Sequence, residues 1–474
     1  MPAADAHKYD AIIIGAGISG LVCGGYLAKA GMKVVVVEQH DKPGGYFTSF
    51  KRRGFLFDAA AHSFGNYRAG GHVRKILTEL GVNEIVTIQR YDPSDVVISP
   101  DFTITFWNDM QRTVGELAKS FPKEKDNIAR FFKFLTTASQ VEFIRLRDKT
   151  FGHLLQSFFE DTRLINALAL PVFGNGGLPP SQIHAFSGAK IYSEFLIDGG
   201  YYAEGGIQNL PNAIARIIQQ NNGELRYRRL VKRIVRNGRS VAGVEMENGD
   251  TLLSSNVIAA CDMTRTYATL LGEGMDDEEN TDRISTMIPS LSTFILYVGV
   301  DRAFEGLTQP GTNIWHLTDY DLDQTYSRIM NCDFNRSCAF MFRVSPDMRT
   351  LLAFMTAPFA NVQFWKENKK TIAGDFLRKI EKAVPELKQH IVYFDSATPV
   401  TLQRYTLNHQ GAAFGWAKMP SQTADIIASK RSPLKGLYFT GHWTSIGFGM
   451  PGACYSGQDT ARSILRAREH ARRV

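Results

Sequence analysis

Tyr9-Asp10-Ala11-Ile12-Ile13-Ile14-Gly15-Ala16-Gly17-Ile18-Ser19-Gly20, then Val34-Val35-Val36-Val37-Glu38, then Gly44-Gly45, is the stretch that decides how this chain is read. It predicts an apolar strand, a glycine turn, a helix and a second strand with an acid at its tip. This is the fingerprint of a dinucleotide-binding βαβ unit. Gly15 permits a tight turn, Gly17 lets a pyrophosphate approach the backbone, and Gly20 brings helix and strand close together. Glu38, 18 residues past Gly20, is placed to accept hydrogen bonds from ribose hydroxyls. The helix start adds free N–H groups and the positive end of a helix dipole. A glycine-rich turn without a ligand would leave Glu38 without a purpose.

The chain has 474 residues, more than one compact core usually organises, so two interleaved domains are expected. Its 44% apolar and 21% charged content is that of a globular protein. The five cysteines (Cys23, Cys261, Cys332, Cys338, Cys454) form no C-x-x-C pair, which suits a reducing, cytoplasmic setting without disulfides. No charged-then-apolar leader precedes the fingerprint, and no 18-residue apolar run predicts a membrane span. The net charge is +7, and Arg462, Arg466, Arg468, Arg472 and Arg473 crowd the last 13 residues against one acid, Glu469. That balance suits an anionic partner, either a membrane surface or an acidic acyl carrier protein, unless the segment is simply a solvated basic helix. No motif points to nucleic acid.

Residues 115–170 have helical periodicity and many large apolar groups, such as Phe131-Phe132-Lys133-Phe134-Leu135 and Leu154-Leu155-Gln156-Ser157-Phe158-Phe159. Gly174-Asn175-Gly176-Gly177-Leu178-Pro179-Pro180 ends that region. A helix over Leu210–Gln220 is followed by a β-meander expected at Leu230–Val235, Val241–Glu245 and Val257–Ala260. Further strands are expected at Phe294–Val298, Ala339–Phe342 and Leu351–Phe354. A closing strand, Gly436–Thr440, leads through glycines into a last helix.

The fingerprint alone does not distinguish NAD from FAD. Gly44-Gly45, Gly54-Phe55-x-Phe57-Asp58 and His62 resemble the FAD-dependent phytoene desaturase and carotenoid isomerase family, part of the wider amine oxidase and retinol saturase group. Tyr202-x-x-Gly205-Gly206-x-x-x-Leu210 resembles that family's middle motif. Gly436-Leu437-Tyr438-Phe439-Thr440-Gly441, Gly449-Met450-Pro451-Gly452-Ala453 and Ser456-Gly457 resemble its closing motif. The resemblance spans nearly the whole chain. It implies an α/β fold: a discontinuous Rossmann-like FAD-binding domain of the glutathione-reductase-2 type with a mixed sheet-and-helix substrate domain. The expected division is 1–100, 201–265 and 401–474 for FAD, 101–200 for a helical lid and 266–400 for a substrate sheet.

The resemblance also implies roles. Gly15, Gly17, Ser19, Gly20, Glu38 and Gln39 would hold the ADP half of a non-covalent FAD, with Gly44 and Gly45 along the pyrophosphate and ribityl path. Val231 would meet the adenine through its backbone. Gly441 and His442 would lie by the phosphates and ribityl chain, and Gly449, Met450 and Ala453 near the flavin N1 edge. There a helix N-terminus would stabilise the negative charge of a reduced flavin. Two positions depart from the pattern: Ala60 stands where glycine is usual, and His442 where an acid is usual.

Flavin-dependent chemistry on a carbon–carbon bond needs few protein groups, because the cofactor carries the reaction. His62 is the first candidate for an acid–base group, with a structural histidine as the alternative. Arg404 and Tyr405, before Asn408-His409-Gln410-Gly411, would lie by a substrate channel unless they only pack or pair. Trp443 would stack near the flavin or simply pack. No nucleophile triad and no metal-ligand cluster is present. The expected substrate is a long apolar chain, carotenoid-like or polyunsaturated acyl, with the oily 115–170 region helping to house it. An amine oxidase of the same fold, or a flavin-free lipid- or prenyl-binding protein, is the alternative.

Overall fold

The computed structural model describes residues 8–139, 141–142, 145–272, 278–303, 309–337, 339–430, 432, 434–445 and 447–473. Strand β1 (Ala11–Ile14) and strand β2 (Val34–Val37) flank helix α1 (Ile18–Lys29). They sit in a five-stranded sheet ordered Leu437–Phe439, Val257–Ala259, β1, β2, Glu224–Arg226, with every neighbouring pair parallel. The all-valine run of β2 is buried at every position, as expected of a parallel strand covered on both faces. Asn209–Gln220 and the final helix, Gly449–Arg473, pack against α1 on one face.

Three distant segments therefore close one sheet, which is the discontinuity expected from the sequence. Val257–Ala259 goes to this sheet and not to the meander. Its VIA side chains are wholly buried, and it slots between β1 and Leu437–Phe439. The meander consists of Val231–Asn237, Ser240–Met246 and Thr251–Leu253.

The second body is a seven-stranded mixed sheet. Its order is Ile391–Ala397, Ser292–Val300, Thr350–Ala357, Ala339–Val344, Asn313–Leu317, Asp95–Ile98, Thr103–Phe106. Helices Met110–Ser120 and Thr162–Gly176 pack on it, and Lys125–Thr137, Phe151–Gln156 and Ala185–Ile191 pack on those helices. Asp109 and Asp161 cap two of them by accepting from backbone N–H groups, and Gly177 ends the helix Thr162–Gly176 in a left-handed turn.

The oily character of 115–170 has a plain physical cause. Phe131, Phe132, Leu135, Leu154, Leu155 and Phe159 are buried in one core cluster with Tyr192 and the sheet, and none of them borders the cavity described below. Among the described residues no helix is long and apolar enough to cross a membrane. The described cysteines are free thiols, and Cys338 lies outside the described residues.

Candidate active site

One elongated cavity runs from the tip of β2 to the seven-stranded sheet. Its first wall is the glycine turn. Gly15 takes φ +102°, and a Cβ there would lie 2.8 Å from the Ala260 carbonyl oxygen. A Cβ on Gly20 would lie 2.2 Å from the Gly15 oxygen, so Gly20 does not face the cavity but lets α1 close onto the turn. Gly17 has nothing within 4 Å of that position and opens into the cavity. It precedes α1 without a side-chain cap, leaving first-turn N–H groups free for an anion. The Gly44 N–H donates to the Ala16 carbonyl at 2.8 Å, laying Gly44-Gly45 alongside the turn.

Glu38 is buried and braces this wall. One carboxylate oxygen accepts from the Ala16 N–H at 2.8 Å and the other from the His40 N–H at 2.9 Å. Gln39, Val231 and Tyr405 border the same end, as do Arg229 and Arg265, two cations with no signature in the sequence. Replacing Glu38 by alanine is expected to remove both bonds, each charge-assisted and worth about 1.5–3 kcal/mol. Purified Glu38→Ala should carry a small fraction of the flavin held by the wild type, measured as the ratio of flavin to protein absorbance.

A second wall comes from the closing motif. The Gly441 N–H donates to Ser456 Oγ at 2.8 Å, and the Thr440 and Thr444 hydroxyls meet the same oxygen. Ser19 packs directly beside Gly441, its hydroxyl 3.1 Å from where a Cβ on Gly441 would stand, so this wall meets the glycine turn there. Gly449, Met450 and Ala453, at the start of the final helix, line the wall beside them. Two helix N-termini thus converge on one cavity, each favouring negative charge. His442 lines the same wall. Burial, with help from the nearby Lys418 ammonium, pushes its imidazole down to about 3, so it is a neutral hydrogen-bonding group where an acid would be charged. Lys418 itself is buried behind the wall, donates to the Phe414 and Trp416 carbonyls at 2.7 and 3.3 Å, and is pushed down to about 7.

The far half of the cavity is apolar and aromatic. Ile295 and Phe354 come from the seven-stranded sheet, and Phe414 and Phe448 form a T-shaped pair 6.0 Å apart. His62 sits here, its ring 5.4 Å from Phe354. Burial pushes its imidazole down to about 3; Arg343 adds to this and the Ala60 backbone opposes it. Trp443 lines the cavity too, but its indole N–H donates to Asn408 at 3.1 Å and its ring packs edge-on against Trp416 at 4.7 Å, a packing role.

Arg404 and Tyr405 are not brought to His62. Arg404 is exposed, lies over the Tyr405 ring at 5.0 Å and does not border the cavity. Tyr405 stacks on His40 at 5.4 Å, and its carbonyl accepts from Gln39 and His40, which puts it at the Glu38 end. The helix Pro399–Thr406 ends there in a left-handed Leu407, turning this pair away from the aromatic half. Asp95 and Asn313, on adjacent strands, border the cavity instead. They belong to no motif, and only the pairing of those strands brings them together.

These residues suit a dinucleotide: an open glycine backbone, a carboxylate at the strand tip and two helix starts, that of α1 without a side-chain cap, around one cleft. The comparisons agree. Residues 18–465 match the model of the flavin containing amine oxidoreductases. The chain is 25% identical to an all-trans-retinol 13,14-reductase of Danio rerio, over 91% of this chain and 82% of that one. It is also 25% identical to a chloroplastic prolycopene isomerase of Daucus carota, over 97% and 80%. In three dimensions it resembles an oxidoreductase from Methanosarcina mazei (TM-score 0.67, 18% identity, 95% and 99% covered). It likewise resembles putrescine oxidase bound to putrescine (TM-score 0.67, 17% identity, 97% and 99% covered). With the family match running through both halves of the cavity, the chain belongs to the flavin-containing amine oxidoreductase family.

Proposed function

We propose that this FAD-dependent oxidoreductase acts on a carbon–carbon bond of a long apolar substrate, a carotenoid-like isoprenoid or a polyunsaturated acyl chain, by desaturation, isomerisation or saturation. The observation that carries this reading is the aromatic and aliphatic half of the cavity, where Ile295, Phe354, Phe414 and Phe448 enclose the space next to the cofactor cleft. Retinol and prolycopene, named for two relatives, are apolar polyenes of this kind. Bound FAD supplies hydride acceptance or donation at its ring. The chain's own residues bind and align the apolar chain, and exclude water by their aromatic packing.

His62 offers little as a proton acceptor. An imidazole held down to about 3 is neutral at pH 7 and has weak proton affinity, so its part is to hold a hydrogen bond in a fixed place. Replacing it by glutamine is expected to leave the shape of the kcat/KM profile unchanged between about pH 5 and pH 8. A limb in that range that disappears in His62→Gln would assign it the proton instead. The experiment for the reading as a whole is anaerobic mixing of the flavin-loaded protein with long-chain polyenes, followed by flavin absorbance.

The basic end of the final helix supports binding to an anionic surface, a membrane or an acidic acyl carrier protein. Beyond Leu465 the helix is mostly exposed and carries Arg466, Arg468 and Arg472. Each cation near an anionic surface contributes about 1 kcal/mol. Truncation after Leu465 should weaken pelleting with anionic liposomes at low salt. Equal pelleting of both forms would remove the segment from the account.

A further inference from the structure

We propose that Asp95, Asn313 and His62 form a subsite for a hydroxyl group on the substrate, so that the apolar chain is an alcohol and not a plain hydrocarbon. The inference rests on the long-chain reading above. Asp95 and Asn313 are cross-strand partners, 2% and 4% exposed, and with His62 and Ser63 they make a polar corner in an otherwise apolar wall. Asp95 is locked through one oxygen, which accepts from the Trp315 indole N–H at 2.7 Å and the Asn313 amide at 3.0 Å.

The remaining atoms are uncommitted. Asp95 Oδ2, Asn313 Oδ1 and His62 Nδ1 are buried without a hydrogen-bond partner among the described residues. The Ser94 hydroxyl lies 3.4 and 3.3 Å from the Phe106 and Leu196 carbonyls and also acts with Trp315 and Asn313 to oppose the upward push of burial on the Asp95 carboxyl. Buried polar atoms are normally paired, and each orphan costs about 1–3 kcal/mol. Three in one corner of a ligand cavity are explained by a ligand that satisfies them. The two carboxyl and amide oxygens can only accept, and a neutral imidazole nitrogen accepts in one tautomer, so the corner needs a donor.

Arg343 selects among donors. It pairs in register with Asn313, is 4% exposed, and both terminal guanidinium nitrogens lack hydrogen-bond partners among the described residues. It lies over the Tyr202 ring at 4.8 Å, beyond ion-pair distance of Asp95. This buried cation one strand away already favours the ionised Asp95 carboxyl, and it would repel a second cation brought into the corner. An ammonium would therefore gain little there, and a carboxylate would face three acceptors. A hydroxyl meets neither objection.

The test uses the flavin-loaded protein and four probes of one chain length: geranylgeraniol, its methyl ether, geranylgeranylamine and the parent hydrocarbon. Binding is read from the shift each causes in the visible flavin spectrum. The alcohol should bind about tenfold more tightly than the ether, which lacks the donor. In Asp95→Asn the alcohol and the ether should converge, because an amide N–H serves both oxygens alike. Equal binding of alcohol and ether by the wild type would overturn the subsite while leaving the long-chain reading in place. So would an amine that outbinds the alcohol. If none of the four perturbs the flavin, the subsite and the long-chain reading fall together. The wild-type series decides the matter even if Asp95→Asn does not fold.

Discussion

Gly20→Ala is expected to yield a protein without flavin. A Cβ at this position would sit 2.2 Å from the Gly15 carbonyl oxygen and 3.0 Å from the Ala260 side chain. Both neighbours are fixed, one by a positive φ that only glycine adopts freely and the other by the 3.0 Å bond from the Ala260 N–H to the Ile14 carbonyl. Helix α1 must then withdraw from β1, and its free N–H groups leave the place proposed for the pyrophosphate. Overpacking of this kind costs about 1–3 kcal/mol in stability, and displacing the turn removes the phosphate contacts as well. The variant should be colourless after purification at a concentration where the wild type is yellow. Acid precipitation of the wild type should release its colour to the supernatant, as a non-covalent cofactor requires. Gly17→Ala, which has open space at the same test position, should retain more flavin than Gly20→Ala.

The cofactor half was legible because its constraints are local. A glycine turn, a buried strand and an acid at its tip must be consecutive in sequence, and Gly15, Gly17, Glu38, Gly441 and Met450 all line the cavity. The third strand of the meander was misplaced because Val257–Ala259, a short buried apolar run, looks the same in either sheet; only its parallel pairing distinguishes them. The aromatic half of the cavity was much less legible. Asp95, Asn313, Ile295 and Phe354 lie on strands far apart in the chain, and only the order of the seven-stranded sheet makes them neighbours. Conversely, the apolar helices of 115–170 promised a tunnel wall and supply core. Their faces are taken up by Tyr192 and the sheet, a demand that periodicity reveals without naming the partner. Arg404 and Tyr405 follow the same logic: a helix end in a left-handed residue sets which half of the cavity they approach.

Thr293→Phe is expected to abolish turnover of a long substrate while leaving the cofactor in place. Thr293 borders the cavity from the strand Ser292–Val300, two residues before Ile295 and on the same face of the sheet. A phenyl ring there would fill the space proposed for the chain. The flavin-to-protein ratio should match the wild type. The value of kcat/KM on a long polyene should fall by about 100-fold or more, close to 2.7 kcal/mol of lost transition-state binding. Retained activity on long chains would move the substrate out of this part of the cavity.

The central claim is that a member of the flavin-containing amine oxidoreductase family here works on carbon–carbon bonds of a long apolar chain. Its most direct measurement is anaerobic mixing of the flavin-loaded protein with two sets of compounds, long-chain polyenes and primary amines, while flavin and polyene absorbance are followed together. A parallel run uses flavin reduced beforehand. The account predicts a response to a polyene in one of the two runs: loss of the oxidised flavin band for a desaturation, or a change in the polyene spectrum with reduced flavin for an isomerisation or saturation. It predicts no response to amines. Rapid reduction by amines, with no response to any long-chain polyene in either run, would contradict it and assign amine oxidation to this cavity.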